Sequence, residues 1–226
     1  MSNAGFSAPV AYFGSITGLT PKSSSDGKTS SVAEAPNEYG DTVAHDVYGE
    51  VLNPSVECAV TDEVDLSDIE LGSIHTVNTS HKVMLTQVQV NTQAGSPPTV
   101  TLSGVEVESG ATAKRTYACS GTLTPRSKAQ DVAGAFNTSP KYTQINTTFA
   151  VDPHVQTVDG TPVASDCSHG RIEAQATMTD GDGTGAISAG SGFTITSASA
   201  ESDPDAGYQT KSATSSKFLT GTESSS

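Results

Sequence analysis

A chain of 226 residues with 25 acidic against 11 basic side chains, a formal charge of −14, lacks the clustered Lys and Arg that phosphate binding needs, which excludes ordinary nucleic-acid binding. With 34% hydrophobic residues, 5% aromatic and no Trp, the apolar area per residue is small, so the chain carries open loops and tails or completes its core against neighbours. The three cysteines, Cys58, Cys119 and Cys167, are odd in number and lack C-x-x-C spacing, which points to buried reduced thiols rather than a disulfide framework or a zinc cluster.

Residues 1–20 mix Phe6, Val10, Tyr12, Phe13, Ile16 and Leu19 with Gly, Ser and Pro9, the pattern of an extended arm that orders by docking. The segment has no basic region followed by a sustained apolar one, so no secretory signal is expected, and no run is long enough to cross a membrane. Residues 21–27 (PKSSSDG) read as a loop, 29–35 as a short strand stopped by Pro36, and 41–48 as a strand after the turn at 37–40. Val56, Cys58 and Val60 alternate with Glu57 and Thr61 in the next strand. The acidic run 62–71 (DEVDLSDIEL) reads equally as one helical turn or a surface loop.

The central stretch, 80–119, reads as three successive strands over 82–92, 99–109 and 112–119, rich in Val, Thr, Tyr and Leu. Its alternation changes phase twice. Val83 and Leu85 lie on odd positions but Val88 and Val90 on even ones; Val100 and Leu102 are even but Val105 and Val107 odd. Each slip sends later side chains to the other face unless a bulge absorbs it, so a strongly curved sheet with apolar cover on both sides is expected. Residues 127–136 (SKAQDVAGAF) place Ala129, Val132, Ala133 and Phe136 on one helical stripe, which predicts one short α-helix. Ile145, Thr147, Phe149 and Val151 mark a strand, and 152–168, with Pro153 and Pro162, reads as a loop. Ile172, Ala174, Ala176 and Met178 mark the next strand. After a Gly-rich connection over 180–192, strands follow at 193–200 and 208–215, then a Ser-rich disordered tail.

The expected fold is therefore mainly β: an antiparallel β-sandwich or curved sheet with about nine strands and one short flanking α-helix at 127–136. The domains are an N-terminal arm (1–20), a single β domain (21–218) and a flexible C-terminal tail (219–226).

Residues 180–187 (DGDGTGAI) copy the opening of an EF-hand loop, with Asp180, Asp182 and Thr184 as candidate calcium ligands and Gly185 at the sharp turn. The closing bidentate Glu is missing, since Ser191 stands in its place, and the flanks read as strand and Gly-rich loop, so a plain hairpin turn is the expected structure. Asp166-Cys167-Ser168-His169 sets a thiol near an imidazole, but adjacency in sequence supplies neither a reaching base nor oxyanion donors. His45, His75, His81, His154 and His169 show no metal-ligand pairing, and no G-x-S-x-G, phosphate loop or carboxylate pair is present. Neither an enzyme nor a resident cofactor is expected. N-x-[ST] triplets at Asn78, Asn137 and Asn146 are what a Ser/Thr-rich chain produces by chance.

Read end to end, the pattern resembles the bacteriophage major tail tube proteins. The early strand 29–35 and turn into 41–49 (DTVAHDVYG) are similar to that family's opening strands and loop. The closing strand pair, 192–201 (GFTITSASAE) and 208–214 (YQTKSAT), is similar to its ending. The resemblance implies a virion structural protein, a helix-flanked β-sandwich assembled in the host bacterial cytoplasm. It also implies hexameric rings that stack into a hollow tube, whose inner sheets join into a barrel conducting DNA. The implied partners are other copies of the chain and the tape measure, terminator and distal tail proteins. DNA is met only in passage, and no membrane is involved. Residues 1–20, 37–48 and 152–168 are then candidates for ring-to-ring contacts, and Glu106 and Glu108 for the lumen wall. Alternatives are another virion module, such as a head decoration, neck or adaptor protein, or a calcium- or carbohydrate-binding β-sandwich. The missing Trp counts against sugar stacking.

Overall fold

A computed structural model describes residues 12–36, 42–77, 81–137, 141–158, 161–181, 185–203 and 208–223. In chain order, β1 (Leu19–Pro36) and β2 (Thr42–Val60) form a long antiparallel hairpin. β3 (Val64–Asp65), a 3-10 turn (Leu66–Asp68), β4 (Glu70–Leu71) and β5 (Ile74–Thr76) are short pieces. β6 (Lys82–Gln93) and β7 (Ser96–Val107) make a second hairpin, followed by β8 (Arg115–Ala118) and β9 (Thr122–Leu123). β10 (Tyr142–Val158) and β11 (Thr161–Asp180) form a third long hairpin. β12 (Thr194–Asp203), β13 (Tyr208–Phe218) and β14 (Thr222–Glu223) complete the chain.

The fold is mainly β and wholly antiparallel. One nine-stranded sheet runs β1-β2-β7-β6-β10-β11-β13-β12, with β5 paired to the start of β6; β14-β8-β4 and β3-β9 form two small sheets. β11 comes back into contact with β7 and β2, although β6 and β10 separate it from them in the sheet order, so the large sheet is strongly curved. Its concave face buries Val56, Cys58, Val83, Leu85, Val88, Val90, Val100, Leu102, Ile145, Phe149 and Ile172. Against these pack Leu66, Ile69 and Leu71 around the 3-10 turn, Tyr117 and Cys119 of the small sheets, and Tyr12 and Phe13. One large sheet over a patchwork of short pieces thus stands where a sandwich of two comparable sheets was an option.

The two phase slips of the central stretch have different causes. In β6, Leu85 pairs with Gly104 and Gln87 with Ser103, which leaves Thr86 as an extra residue. That bulge keeps Val83, Leu85, Val88 and Val90 on one face. In β7 the register runs unbroken from Thr99 to Val107, so Val105 and Val107 turn to the opposite face from Val100 and Leu102. At the crossover stands Gly104, where a Cβ would lie 2.5 Å from the Met84 carbonyl oxygen and 2.8 Å from the Phe13 ring. Both faces are buried here within the chain itself, Val83 and Leu85 on one side and Met84 and Val107 on the other.

Residues 127–136 form no helix, against expectation. Gln130 turns back on the chain instead: its side-chain oxygen accepts from Thr124 N at 3.0 Å, and its amide donates to the Thr124 carbonyl at 2.8 Å. The Asp131 carboxylate accepts from Ala135 N and Phe136 N at 2.9 and 2.8 Å. These side chains satisfy backbone groups that a helix would pair internally, and for Asp131 this is the local competition that disfavours Asp in helix interiors. The segment also packs backbone to backbone. A Cβ at Gly121 would lie 1.6 Å from the Val132 carbonyl oxygen and one at Gly190 1.9 Å from that of Gly134, too close for a helix with its shell of side chains.

Three further expectations change. The 21–27 loop lies in the first half of β1, where six of its seven residues pair with β2, so pairing rather than β propensity makes it a strand. The 152–168 loop is the outer half of the β10–β11 hairpin. Pro153 and Pro162 are tolerated because β6 leaves β10 after Ala150 and β13 joins β11 only from Arg171, so one side of each strand has no ladder to lose. In the tail expected to be disordered, Thr222 and Glu223 pair with Thr116 and Arg115 of β8. The turn at 37–40 lies outside the described residues, as do the side chains of 41–48. Among the described residues, no helix is long and apolar enough to cross a membrane.

Candidate functional site: an open sheet edge and a polar hinge

Among the described residues, the large sheet does not close. β1 ends it on one side and β12 on the other. Free edges offer unpaired N–H and C=O groups to any passing strand, and stable monomers blunt them with Lys, Pro or bulges. β1 carries Pro21, Lys22, Lys28 and Pro36. β12 reads TITSASAESD and carries no Lys, Arg or Pro. From Thr196 to Ser202 its side chains are exposed on both faces. It is held by its ladder to β13 and a Ser199–Ser212 hydroxyl contact of 2.7 Å, with one register shift between Ile195 and Ser197.

A second polar feature sits where the β10–β11 hairpin leaves the body. Ala150 pairs with Arg171 and Asp152 with Ser168, so Val151 on one strand faces His169 and Gly170 on the other. His169 has φ 52°, the one left-handed non-glycine conformation among the described residues. Around it, Arg171 Nη1 donates to Asp152 Oδ1 at 2.6 Å, and His169 Nδ1 lies 3.6 Å from Asp152 Oδ2. The Arg171 bond, reinforced by the nearby His169 and His154, holds the Asp152 carboxyl below its ordinary pKa. Ser168 Oγ is shared between His154 Nε2 at 2.7 Å and His169 Nδ1 at 2.8 Å. Hydroxyl and carboxylate meet the same His169 nitrogen, unlike a nucleophile triad, where they take opposite ring nitrogens.

The Cys167 thiol is not part of this cluster. It is buried against Gly72 and donates to the Arg115 carbonyl at 3.4 Å; burial, with help from Asp166, pushes its pKa up to about 11. A protonated, buried thiol is not a nucleophile. Burial also raises Cys58, and Cys119 to about 12, and all three cysteines are free. His75 is half-buried, and that desolvation lowers its pKa; it bonds Ser73 Oγ at 2.9 Å and meets the Phe13 ring edge-on at 5.9 Å. The side chain of His45 lies outside the described residues.

Of the calcium candidates, Asp182 and Thr184 lie outside the described residues. Asp180 is buried, and its Oδ2 accepts from Lys211 Nζ at 2.8 Å and Gly185 N at 2.7 Å, while the same ammonium reaches the Gly185 carbonyl at 2.5 Å. Lysine thus fills the cation's place beside the one candidate ligand described. Among the described residues, no group of three or more His, Cys, Asp or Glu is placed to hold a metal ion. Of the lumen candidates, Glu106 accepts from Leu52 N at 3.1 Å and contacts His81 Nδ1 at 2.5 Å, with its side chain 15% exposed. Glu108 follows the end of β7 and is half-buried.

The hinge cluster has no local motif in the sequence, because its residues lie apart in a stretch that reads as a loop. Val-Asp-Gly-Thr at 158–161 carries the Asp-Gly sequence signature of a two-residue hairpin connection, and the pairing of Val158 with Thr161 on either side of it brings Asp152 opposite Ser168. No protein-family model and no curated protein matches the chain.

Proposed function

We propose that the chain is a structural subunit of a phage tail tube, closing into rings by edge-to-edge sheet pairing and stacking into a hollow tube. The observation that carries this reading is β12: an edge strand whose residues 196–202 are small apart from Glu201, exposed on both faces, and without the lysines, arginines and prolines that keep a monomer's edge unpaired. Pairing β12 of one copy with β1 of the next joins the two ends of the same sheet, a head-to-tail contact that makes a ring when its rotation closes. The charge of −14 keeps such a wall from holding phosphate, so DNA slides through without sticking. Glu108, free of the Leu52 and His81 contacts that occupy Glu106, is the better lumen candidate. The partners of this reading are the tape measure, terminator and distal tail proteins at the tube's interior and ends.

Negative-stain microscopy of the purified protein tests it. Rings or tubes are expected, and a dispersed monomer at high concentration overturns it. The double variant Ala198→Lys/Ala200→Lys puts charge on the exposed edge and is expected to abolish rings while leaving the melting temperature unchanged. Rings that persist in that variant remove β12 from the interface.

A further inference from the structure

We propose that the outer half of the β10–β11 hairpin is a hinged arm, latched in its seated position by the C-terminal strap 219–223. Both ladders that flank the hairpin stop at one level: β6 pairs with β10 only as far as Ala150, and β13 pairs with β11 only from Arg171. Beyond that level, residues 152–158 and 161–168 pair only with each other, and the connection passes through Val151 on one strand and His169-Gly170 on the other. His169, in the left-handed region, stores strain at that joint. A second stress lies further out, where Ser165 Oγ is buried without a hydrogen-bond partner. A seated arm that carries strain at its joint and an orphaned hydroxyl on its buried face has a competing lifted state in which both are relieved.

The strap opposes lifting. Leu219 N donates to the Gly170 carbonyl at 2.7 Å, so the strap grips the joint itself. The buried Tyr117 ring sits between two glycine backbones: a Cβ at Gly170 would lie 2.3 Å from its Cδ1, and one at Gly221 2.8 Å from its Cε1. Thr222 and Glu223 then pair with β8, and Arg115 Nη2 bonds Glu223 Oε1 at 2.5 Å. Arg115 is also the residue whose carbonyl receives the Cys167 thiol from the underside of the arm. Strap, β8 and arm therefore meet at Arg115, Tyr117 and Gly170, and releasing the strap loosens the seat of the arm. The device is independent of whether the chain builds tubes.

Cys167 is the natural reporter, because it is buried under the arm while Cys58 and Cys119 are buried elsewhere in the core. Iodoacetamide labelling of the full-length protein, followed by peptide mass spectrometry, is compared with a variant ending at Phe218. Loss of the strap is expected to raise labelling of Cys167 about tenfold with Cys58 and Cys119 unchanged, the mark of local rather than global opening. Gly221→Val, which drives a side chain into Tyr117, is expected to act in the same direction and guards against a truncation that fails to fold. Cys167 labelling that stays at the wild-type rate in both variants, or rises only in step with Cys58 and Cys119 in Gly221→Val, overturns the proposal.

Discussion

Lys211→Met tests whether the buried ion pair at the end of β11 occupies the position of the first ligand in the EF-hand-like loop opening. The Lys211 side chain is 15% exposed and that of Asp180 8%, and they meet at 2.8 Å. Coulomb attraction at that distance in an effective dielectric of about 20 is about 6 kcal/mol, and roughly half is offset by the cost of taking the ammonium out of water. Methionine fills the stem's volume but leaves the carboxylate without its counter-charge, so a loss of about 3 kcal/mol is expected. For a chain of 226 residues that lowers the melting temperature by about 6–12 °C. Adding Asp180→Asn removes the stranded charge and is expected to recover about half of the loss. Differential scanning calorimetry of the three proteins, with and without millimolar calcium, reads all of this. A single variant within about 1 kcal/mol of wild type, or a double variant no better than the single, refutes the pair's structural role. A wild-type melt that rises with calcium refutes the reading of Lys211 as the resident cation.

Other consequences are equally direct. Phe149 is fully buried between Val88 and Ile172 on the neighbouring strands, so Phe149→Ala is expected to cost about 3–5 kcal/mol in urea unfolding with an unchanged slope. Asp131→Ala strands the N–H groups of Ala135 and Phe136 and is expected to cost about 2 kcal/mol; a gain of helical circular dichroism in that variant contradicts the account of why no helix forms. Cys58, Cys119, Cys167, Tyr12 and Tyr142 all have folded-state pKa values above their ordinary 9.0 or 10.0. Their contribution is fully present below pH 9 and drains away as pH rises towards 12, so stability falls steeply in alkali; a flat denaturation midpoint from pH 8 to 11 contradicts it. His75 has the opposite sense: its folded-state value is depressed, so it favours the folded state above its ordinary 6.5 and loses that effect as pH falls. His75→Phe is expected to flatten the acid limb.

What the sequence made legible was whatever local periodicity controls. Val88 and Val90, Ile145 to Val151, and Ile172 to Met178 alternate because one face is wet and the other buried, and the strands stand where that alternation placed them. The phase slip in β6 was equally legible, since a bulge at Thr86 is needed to keep Leu85 and Val88 together. Periodicity failed where side chains serve the backbone. The stripe of Ala129, Val132, Ala133 and Phe136 is helical in spacing, but Gln130 and Asp131, polar positions within it, decide the conformation by binding backbone groups. It failed again where pairing rather than composition makes a strand. Ser23, Ser24 and Ser25 have little β preference, yet each has a partner on β2. The hinge needed three-dimensional pairing to appear, because Asp152, His154, Ser168 and Arg171 become neighbours only once the hairpin closes.

The lean composition left two explanations open, loops or neighbours, and the fold weighs between them. The large buried side chains, Phe149, Leu66, Leu71, Met84, Leu85, Leu123, Ile145 and Ile172, lie in the middle of the sheet and the short pieces packed on it. The polar residues are not mainly in loops. Many lie in strands, along the outer half of the β10–β11 hairpin and along β12. A strand wet on both faces has no buried side to fix its register, so only its ladders hold it. β12 has a ladder on one side, to β13. Under the edge pairing proposed above, a second ladder from a neighbouring copy would supply the constraint that the hydrophobic pattern omits. On that proposal, sequence economy in this chain is a surface reserved for pairing rather than slack in the fold.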